Sequence, residues 1–230
     1  MYDALINVNG EQVPTLDILL MLTIISLLPS LLIMVTSFTR TMIILSFLRT
    51  AMGVQQTPPN MVLVGIAIFL TLFIMNPVIS DINTQAYTPY KNNEITQEEA
   101  ISRAQVPLKR FMLRNTETSS LILFTDIAGQ EVPDEAEYED DNAYVEAMID
   151  LPMSVVIPSF MTSELKRGFT AGFLLYIPFL LIDIVVSSTL MSMGMMMLPP
   201  AMISMPFKLL LFITVNGWEL LFSNIVSGFK

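Results

Sequence analysis

The stretch GFTAGFLLYIPFLLIDIVVSSTLMSMGMMMLPPAMISMPF, residues 168–207, carries one charged side chain, Asp183. A helix of about 20 predominantly apolar residues crosses the hydrocarbon core of a bilayer. This run is longer than that, and it is broken by the Pro199-Pro200 pair, because the residue before a proline is pushed out of the helical region. Beyond it, residues 209–229 are interrupted only by Glu219. The two runs are predicted to be the arms of an apolar helical hairpin, about 168–198 and 201–228, with a methionine-rich turn.

Outward toward the N-terminus, two more stretches lack charge, residues 18–39 and residues 50–80. The second has its apolar centre at 61–75 and is bounded by Pro58, Pro59 and Pro77. Helices are predicted at about 16–39 and 58–79. The first charges of the chain are Asp3, Glu11 and Asp17, and no basic residue precedes the first apolar run, so it does not read as a secretory signal and is expected to stay in the mature protein.

Between the two apolar halves lies an acidic segment. Of the 21 Asp and Glu residues, 16 fall between Asp81 and Arg167, against 7 of the 11 Lys and Arg. Thr96-Gln97-Glu98-Glu99 fits a capping box, in which the two side chains satisfy opposite amides at a helix start. Apolar residues then recur at helical spacing through Ile101, Ala104, Leu108, Phe111 and Met112, and again through Leu121, Phe124 and Ala128. Residues 129–142 are too charged to bury a face and are expected to form a mobile acidic loop. The organisation expected is therefore all-α: N-terminal apolar helices in 1–80, a small acidic helical domain in 81–167, and the hairpin in 168–230. Arg40 and Arg49 sit between the first two apolar runs without an acidic neighbour. By the positive-inside rule the 40–60 link and the Pro-Pro turn are expected inside, and the termini and acidic segment outside. Lys166 and Arg167 oppose that assignment.

Composition excludes much. The chain has no Cys and no His, which removes thiolate nucleophiles, imidazole bases, disulfides and the usual zinc or haem ligands. No enzymatic activity and no cofactor are expected. The net charge of −10 comes without a basic stripe, so nucleic acid is not an expected partner.

Three features are candidates for function. The run Met191-Ser192-Met193-Gly194-Met195-Met196-Met197 gathers flexible, polarizable side chains that several subunits could bring together around irregular cargo. Gap-filling in an apolar bundle and soft thioether ligation of Cu(I) are the other readings. Ionisable side chains at membrane depth mark pathways or contacts, and here they are Asp183, Lys208 and, further on, Glu219. A hairpin turning at Pro199-Pro200 sets Asp183 level with Asn216 and Lys208 level with Met191. The two charges are then offset by roughly 12 Å at about 1.5 Å rise per residue, and their partners are expected in water or on other chains, or in a local contact such as Asp183 with Asn216. Arg40 and Arg49, nine positions apart, point to opposite sides of a helix. Either one of them faces protein, or both serve as cytoplasmic anchors. Gly168 and Gly172 form a small-xxx-small step that permits close helix approach.

Ordered strings then carry a resemblance. Phe38-Thr39-Arg40, Leu45-Ser46-Phe47-Leu48-Arg49, Gln56-Thr57-Pro58-Pro59-Asn60, Met75-Asn76-Pro77-Val78, Phe111-Met112-Leu113-Arg114, Thr162-Ser163-Glu164-Leu165-Lys166, and Ile177-Pro178-Phe179-Leu180-Leu181-Ile182-Asp183 through Gly194-Met195-Met196-Met197-Leu198-Pro199-Pro200 together resemble the FliP family. This is the core subunit of the flagellar type III export gate, with counterparts in virulence injectisomes. The resemblance implies a pentamer in the bacterial inner membrane at the flagellar basal body. It implies a cone-like helical channel built with FliQ and FliR, near FlhA and FlhB, through which unfolded flagellar proteins pass. It also implies that Met195, Met196 and Met197 close the channel, and that the apolar helices form a closed assembly raised toward the periplasmic side. An ion-coupled transporter using Asp183, with helices broken near Pro178 and Gly194, and a copper-handling protein using the methionines are the competing functions.

Overall fold

A computed structural model describes residues 5–8, 11–54, 57–133, 138, 140–195 and 197–229 of the chain. A two-stranded antiparallel hairpin, β1 (Leu5–Val8) and β2 (Glu11–Pro14), pairs Leu5 with Pro14 and Val8 with Glu11. Among the described residues every regular element after it is helical: α1 (Thr15–Val35), α2 (Phe38–Ala51), α3 (Asn60–Ile82), a π-helical turn at Asn83–Tyr87 running into α4 (Thr88–Lys91), α5 (Gln97–Asn115), α6 (Thr118–Ala128), α7 (Asp141–Ala147), α8 (Met153–Ser192), α9 (Pro200–Thr214) and α10 (Gly217–Ser227). The fold is all-α, as the apolar runs predict.

The first apolar stretch is not one helix through Thr39. It stops at Val35 and resumes at Phe38, so Arg40 lies in a separate helix, α2. Helix α8 starts at Met153, passes through Lys166 and Arg167 and continues for 40 residues, about 60 Å at 1.5 Å per residue. That is about twice the hydrocarbon thickness of a bilayer. The final apolar run is two helices. Between α9 and α10 the axis bends by 64° at Asn216, whose φ of 51° is left-handed. Gly217 follows it, and a Cβ there would stand 2.3 Å from the Phe212 ring. The ring of Trp218 closes on Phe212 edge-to-face with centroids 5.2 Å apart.

By length and composition two helices can cross a membrane, residues 60–91 and 153–192, or up to four if each bent pair, 18–35 and 200–227, is one span. Their side chains form two cores. One joins α2, α3, α8, α9 and α10 through Leu45, Leu48, Leu63, Phe179, Phe212 and Leu221. The other joins α3, α5, α6, α7 and α8 through Val78, Phe111, Leu121, Val145 and Phe160. Helices α3 and α8 belong to both. The closest interface, α2 on α8, uses the small-residue step: a Cβ on Gly168 would lie 3.2 Å from Ile43, and one on Gly172 would lie 2.5 Å from the ring of Phe47. Phe169 then meets Phe47 edge-to-face at 5.7 Å.

In the acidic segment Thr96 caps α5, its hydroxyl accepting from the Glu99 amide at 3.3 Å. The capping box is only half made, because the Glu99 carboxylate takes Arg103 Nη2 at 2.7 Å instead. The expected acidic loop ends at Asp140, which caps α7, while Asp134, Glu135, Glu137 and Glu139 lie outside the described residues. Lys166 and Arg167, the cations that oppose an external placement, both turn to Glu117, at 2.5 Å and 3.7 Å.

Candidate functional site

Helix α8 ends in a Schellman motif. Gly194 takes φ +77°, its amide donates to Met191 O at 3.1 Å, and the Met195 amide reaches back to Leu190 O at 3.0 Å. Glycine populates the left-handed region without a Cβ penalty. Residues 193–199 then connect to α9, which opens on Pro200 at its first position, where a missing N–H costs nothing. The methionines occupy this tip: Met191, Met193 and Met195 are exposed, and Met197 is 97% exposed. Met196 lies outside the described residues.

Because the chain reverses at Gly194 and not at Pro199-Pro200, the levels of the two arms shift, and the expected offset of the charges is corrected. Lys208 Nζ donates to Asp183 Oδ2 at 2.6 Å, and the Ser204 hydroxyl donates to Asp183 Oδ1, also at 2.6 Å. Asp183 is therefore opposite Ser204 and Lys208, one helical turn apart, and neither Asn216 nor Met191 is its or Lys208's partner. The pair is asymmetric: the lysine side chain is 5% exposed and the aspartate 31%. Gly53, at φ +76° in the turn after α2, brings backbone beside the ammonium, a Cβ there lying 3.8 Å from Nζ. Between this pair and the tip, α8 and α9 enclose an apolar groove of about 560 Å³ lined by Leu181, Val185, Leu190, Ile203 and Phe207.

Arg40 and Arg49 do point apart on α2. Arg40 faces protein: its Nε donates to Glu164 Oε2 at 3.0 Å, its Nη2 donates to Glu164 Oε1, and its Nη1 donates to the Gly228 carbonyl at 2.8 Å. The Phe229 ring lies over the guanidinium at 3.8 Å and stacks in turn on Phe111 at 6.1 Å. Arg49 reaches Asn60 Oδ1 at 2.5 Å and bridges α2 to the start of α3. Glu219 is exposed in the first turn of α10, where the helix dipole favours a carboxylate.

Sequence reasoning did not single out Glu164, Ser204 or Phe229. Glu164 had one available signal, a lone acid among Phe160, Met161 and Leu165 that matches a lone base, Arg40, in an otherwise uncharged run. Ser204 had none until the turn was fixed at Gly194. Among the described residues no group of three or more carboxylates could hold a metal ion.

Long helices with exposed apolar faces, and the ion pairs Arg40 with Glu164 and Asp183 with Lys208, define an all-α membrane protein. The sequence profile of the FliP family matches residues 21–225. The flagellar biosynthetic protein FliP of Bacillus subtilis (strain 168) is 47% identical over 215 residues, covering 94% of this chain and 92% of its own. Those of Pectobacterium carotovorum subsp. carotovorum and Aquifex aeolicus (strain VF5) are each 46% identical, covering 96% of this chain and 82% and 89% of theirs. The chain belongs to the FliP family. It is a membrane-embedded component of the flagellar export apparatus and not an enzyme.

Proposed function

We propose that this chain is the pore-forming core subunit of the flagellar type III export gate, passing unfolded flagellar proteins across the bacterial inner membrane. The observation that carries the reading is the methionine tip: a run of thioether side chains projecting from the end of an apolar hairpin, held by a rigid base. Side chains with three rotatable bonds fill irregular gaps and yield when pushed. Copies arranged by closed symmetry bring such tips to a common axis.

The rest follows from the same arrangement. Met195, Met196 and Met197 act as the gasket, and Asp183 and Lys208 hold its base. Arg40 and Arg49 order α2 inside the subunit and so brace the α8 arm that carries the tip. The exposed apolar flanks of α1, α3 and α8, with Leu22, Phe69, Phe73 and Phe173 all more than 60% exposed, need partners or lipid. We assign them to a homopentamer and to FliQ, FliR, FlhB and FlhA type subunits. The segment 81–167 is placed on the extracytoplasmic side, between N-terminal helices in 1–80 and the hairpin in 168–230. A transporter built on Asp183 is the weaker reading, since that carboxylate is already bonded to Lys208 and Ser204.

The test is the variant with Met195, Met196 and Met197 all replaced by alanine, purified as the assembled complex and reconstituted into vesicles. Ion leakage with assembly intact is the expected result. A tight variant complex defeats the gasket, and release of bound copper from the wild type on substitution points to metal handling instead.

A further inference from the structure

We propose that the exposed thioethers of the tip, Met193, Met195 and Met197, are a modification site for peroxide-class oxidants, and that their conversion to sulfoxides unseals the gate. The inference rests on the reading of this loop as a seal. It begins from a division among the methionines. Met52, Met75, Met112 and Met148 are between 0% and 4% exposed, each within or beside a core. Those at the tip run from 41% at Met195 to 97% at Met197, and outside the loop Met21, Met61 and Met202 are also exposed, at 65%, 85% and 68%; only the tip group lies in the seal. Oxidation of sulfur follows exposure, and a peroxide that reaches this chain meets no competing thiol, because it has no cysteine.

The chemistry is self-contained once the oxidant is named. The thioether sulfur attacks one oxygen of the peroxide, the O–O bond breaks, and that oxygen becomes the sulfoxide. Sulfur gives up two electrons, and the other oxygen leaves as water after taking both protons of hydrogen peroxide. A flexible apolar side chain becomes a polar one with a strong acceptor. An apolar seal tolerates that poorly, since each unpaired polar group must be hydrated or left unsatisfied.

Two features hold the surrounding fold when the tip is oxidised. The Schellman bonds at Leu190 and Met191 fix the end of α8, and the Asp183, Ser204 and Lys208 cluster fixes the arms below it. The oxidised side chains pack against neither core, so the fold survives while the seal does not. Leucine, abundant elsewhere in the chain, would seal without this response. Methionine adds a reaction that sulfoxide reductases reverse.

The test uses the assembled complex in lipid vesicles titrated with hydrogen peroxide, with oxygen uptake located by peptide mass spectrometry and ion leakage followed in parallel. We expect the tip peptide to be oxidised about ten-fold faster than Met52, Met75, Met112 and Met148. Leakage should rise with tip oxidation and fall after treatment with methionine sulfoxide reductases. The comparison is a complex carrying Met193→Leu, Met195→Leu, Met196→Leu and Met197→Leu, expected to stay sealed in peroxide. Met197→Leu alone, expected to blunt the response, serves if the fourfold variant fails to assemble. Equal oxidation of buried and tip methionines overturns the proposal. So does a leucine variant that is sealed at first but leaks in peroxide as the wild type does, and that result leaves the gasket standing. An alanine variant that never leaks removes both.

Discussion

Arg40 and Glu164, separated by 124 positions, form a two-point ion pair in which the arginine side chain is 6% exposed and the glutamate wholly buried. Among the described residues the carboxylate has no other cation in bonding distance, and the guanidinium is finished by the Gly228 carbonyl and the Phe229 ring. Removing one member leaves an uncompensated buried charge, which costs about 3–5 kcal/mol. Arg40→Met or Glu164→Gln should lower the unfolding midpoint of the detergent-solubilised complex steeply. The double variant Arg40→Met with Glu164→Leu should recover most of the loss. Single variants that melt with the wild type would show the pair to be dispensable.

The contact of Gly172 with Phe47 leaves no room for a side chain. Gly172→Val drives a branched side chain into that ring, and overpacking of this kind costs about 1–3 kcal/mol. Gly168→Ala, facing Ile43 at 3.2 Å, should cost less, because a methyl needs only a small shift of a flexible neighbour. Combining Gly172→Val with Phe47→Ala should restore part of the stability. Thermal melts in one detergent give the ranking, and equal effects at the two glycines would contradict it.

At Asp183 and Lys208 the unequal exposure sets the order of damage. Asp183→Asn keeps a partner for Ser204 but strands a buried ammonium. Lys208→Met leaves a carboxylate that water already reaches. Truncating one member of a buried pair is costly because of the charge left behind, so Asp183→Asn should destabilise more than Lys208→Met. The measurement is assembled yield and melting midpoint for both. The reverse order would place the cost elsewhere than in the stranded ammonium.

A pH effect is expected in the acidic segment. The hydrogen bond from Arg110 Nε, 2.5 Å long, holds the Glu146 carboxyl below the ordinary carboxylate range, and the arginine's charge acts in the same direction. A depressed folded pKa means that the unfolded state binds more protons as pH falls. The stabilisation is complete above the unfolded carboxylate value of about 4.3 and is lost as pH drops through the lower folded value. Glu146 is about half exposed, so the effect is that of a surface pair, about 0.2–1 kcal/mol. The protection factors of the α7 amides should fall over that acid range in the wild type. Expressed as protection factors, which remove the intrinsic pH dependence of exchange, Glu146→Gln should be less protected from the start and lack the loss that the wild type shows over this range.

Much of this could be read from residues alone, and the parts that could not share a cause. Apolar length and proline position located α3 and the long run ending at the methionines, and Gly168 with Gly172 marked the closest helix contact. Local chemistry was sufficient for each. What depended on where the chain reverses was misjudged: Pro199-Pro200 looked like the corner, whereas Pro200 opens α9 and the corner is Gly194. A shift of five residues in the assumed turn separated Asp183 from Lys208 on paper and hid Ser204. The Arg40 site was legible only as a lone base and a lone acid, for another reason: α2, α8 and the residues after α10 meet only when both cores are assembled. No spacing in the sequence encodes that meeting.

The length of α8 bears on how the molecule comes apart. One unbroken rod supplies Val156 and Phe160 to one core and Phe179 to the other, and α3 spans the same divide. Neither half can melt while its neighbour keeps this shared spine intact, so heating should give a single sharp transition and no half-folded plateau, despite the contrast between a charged middle and greasy ends.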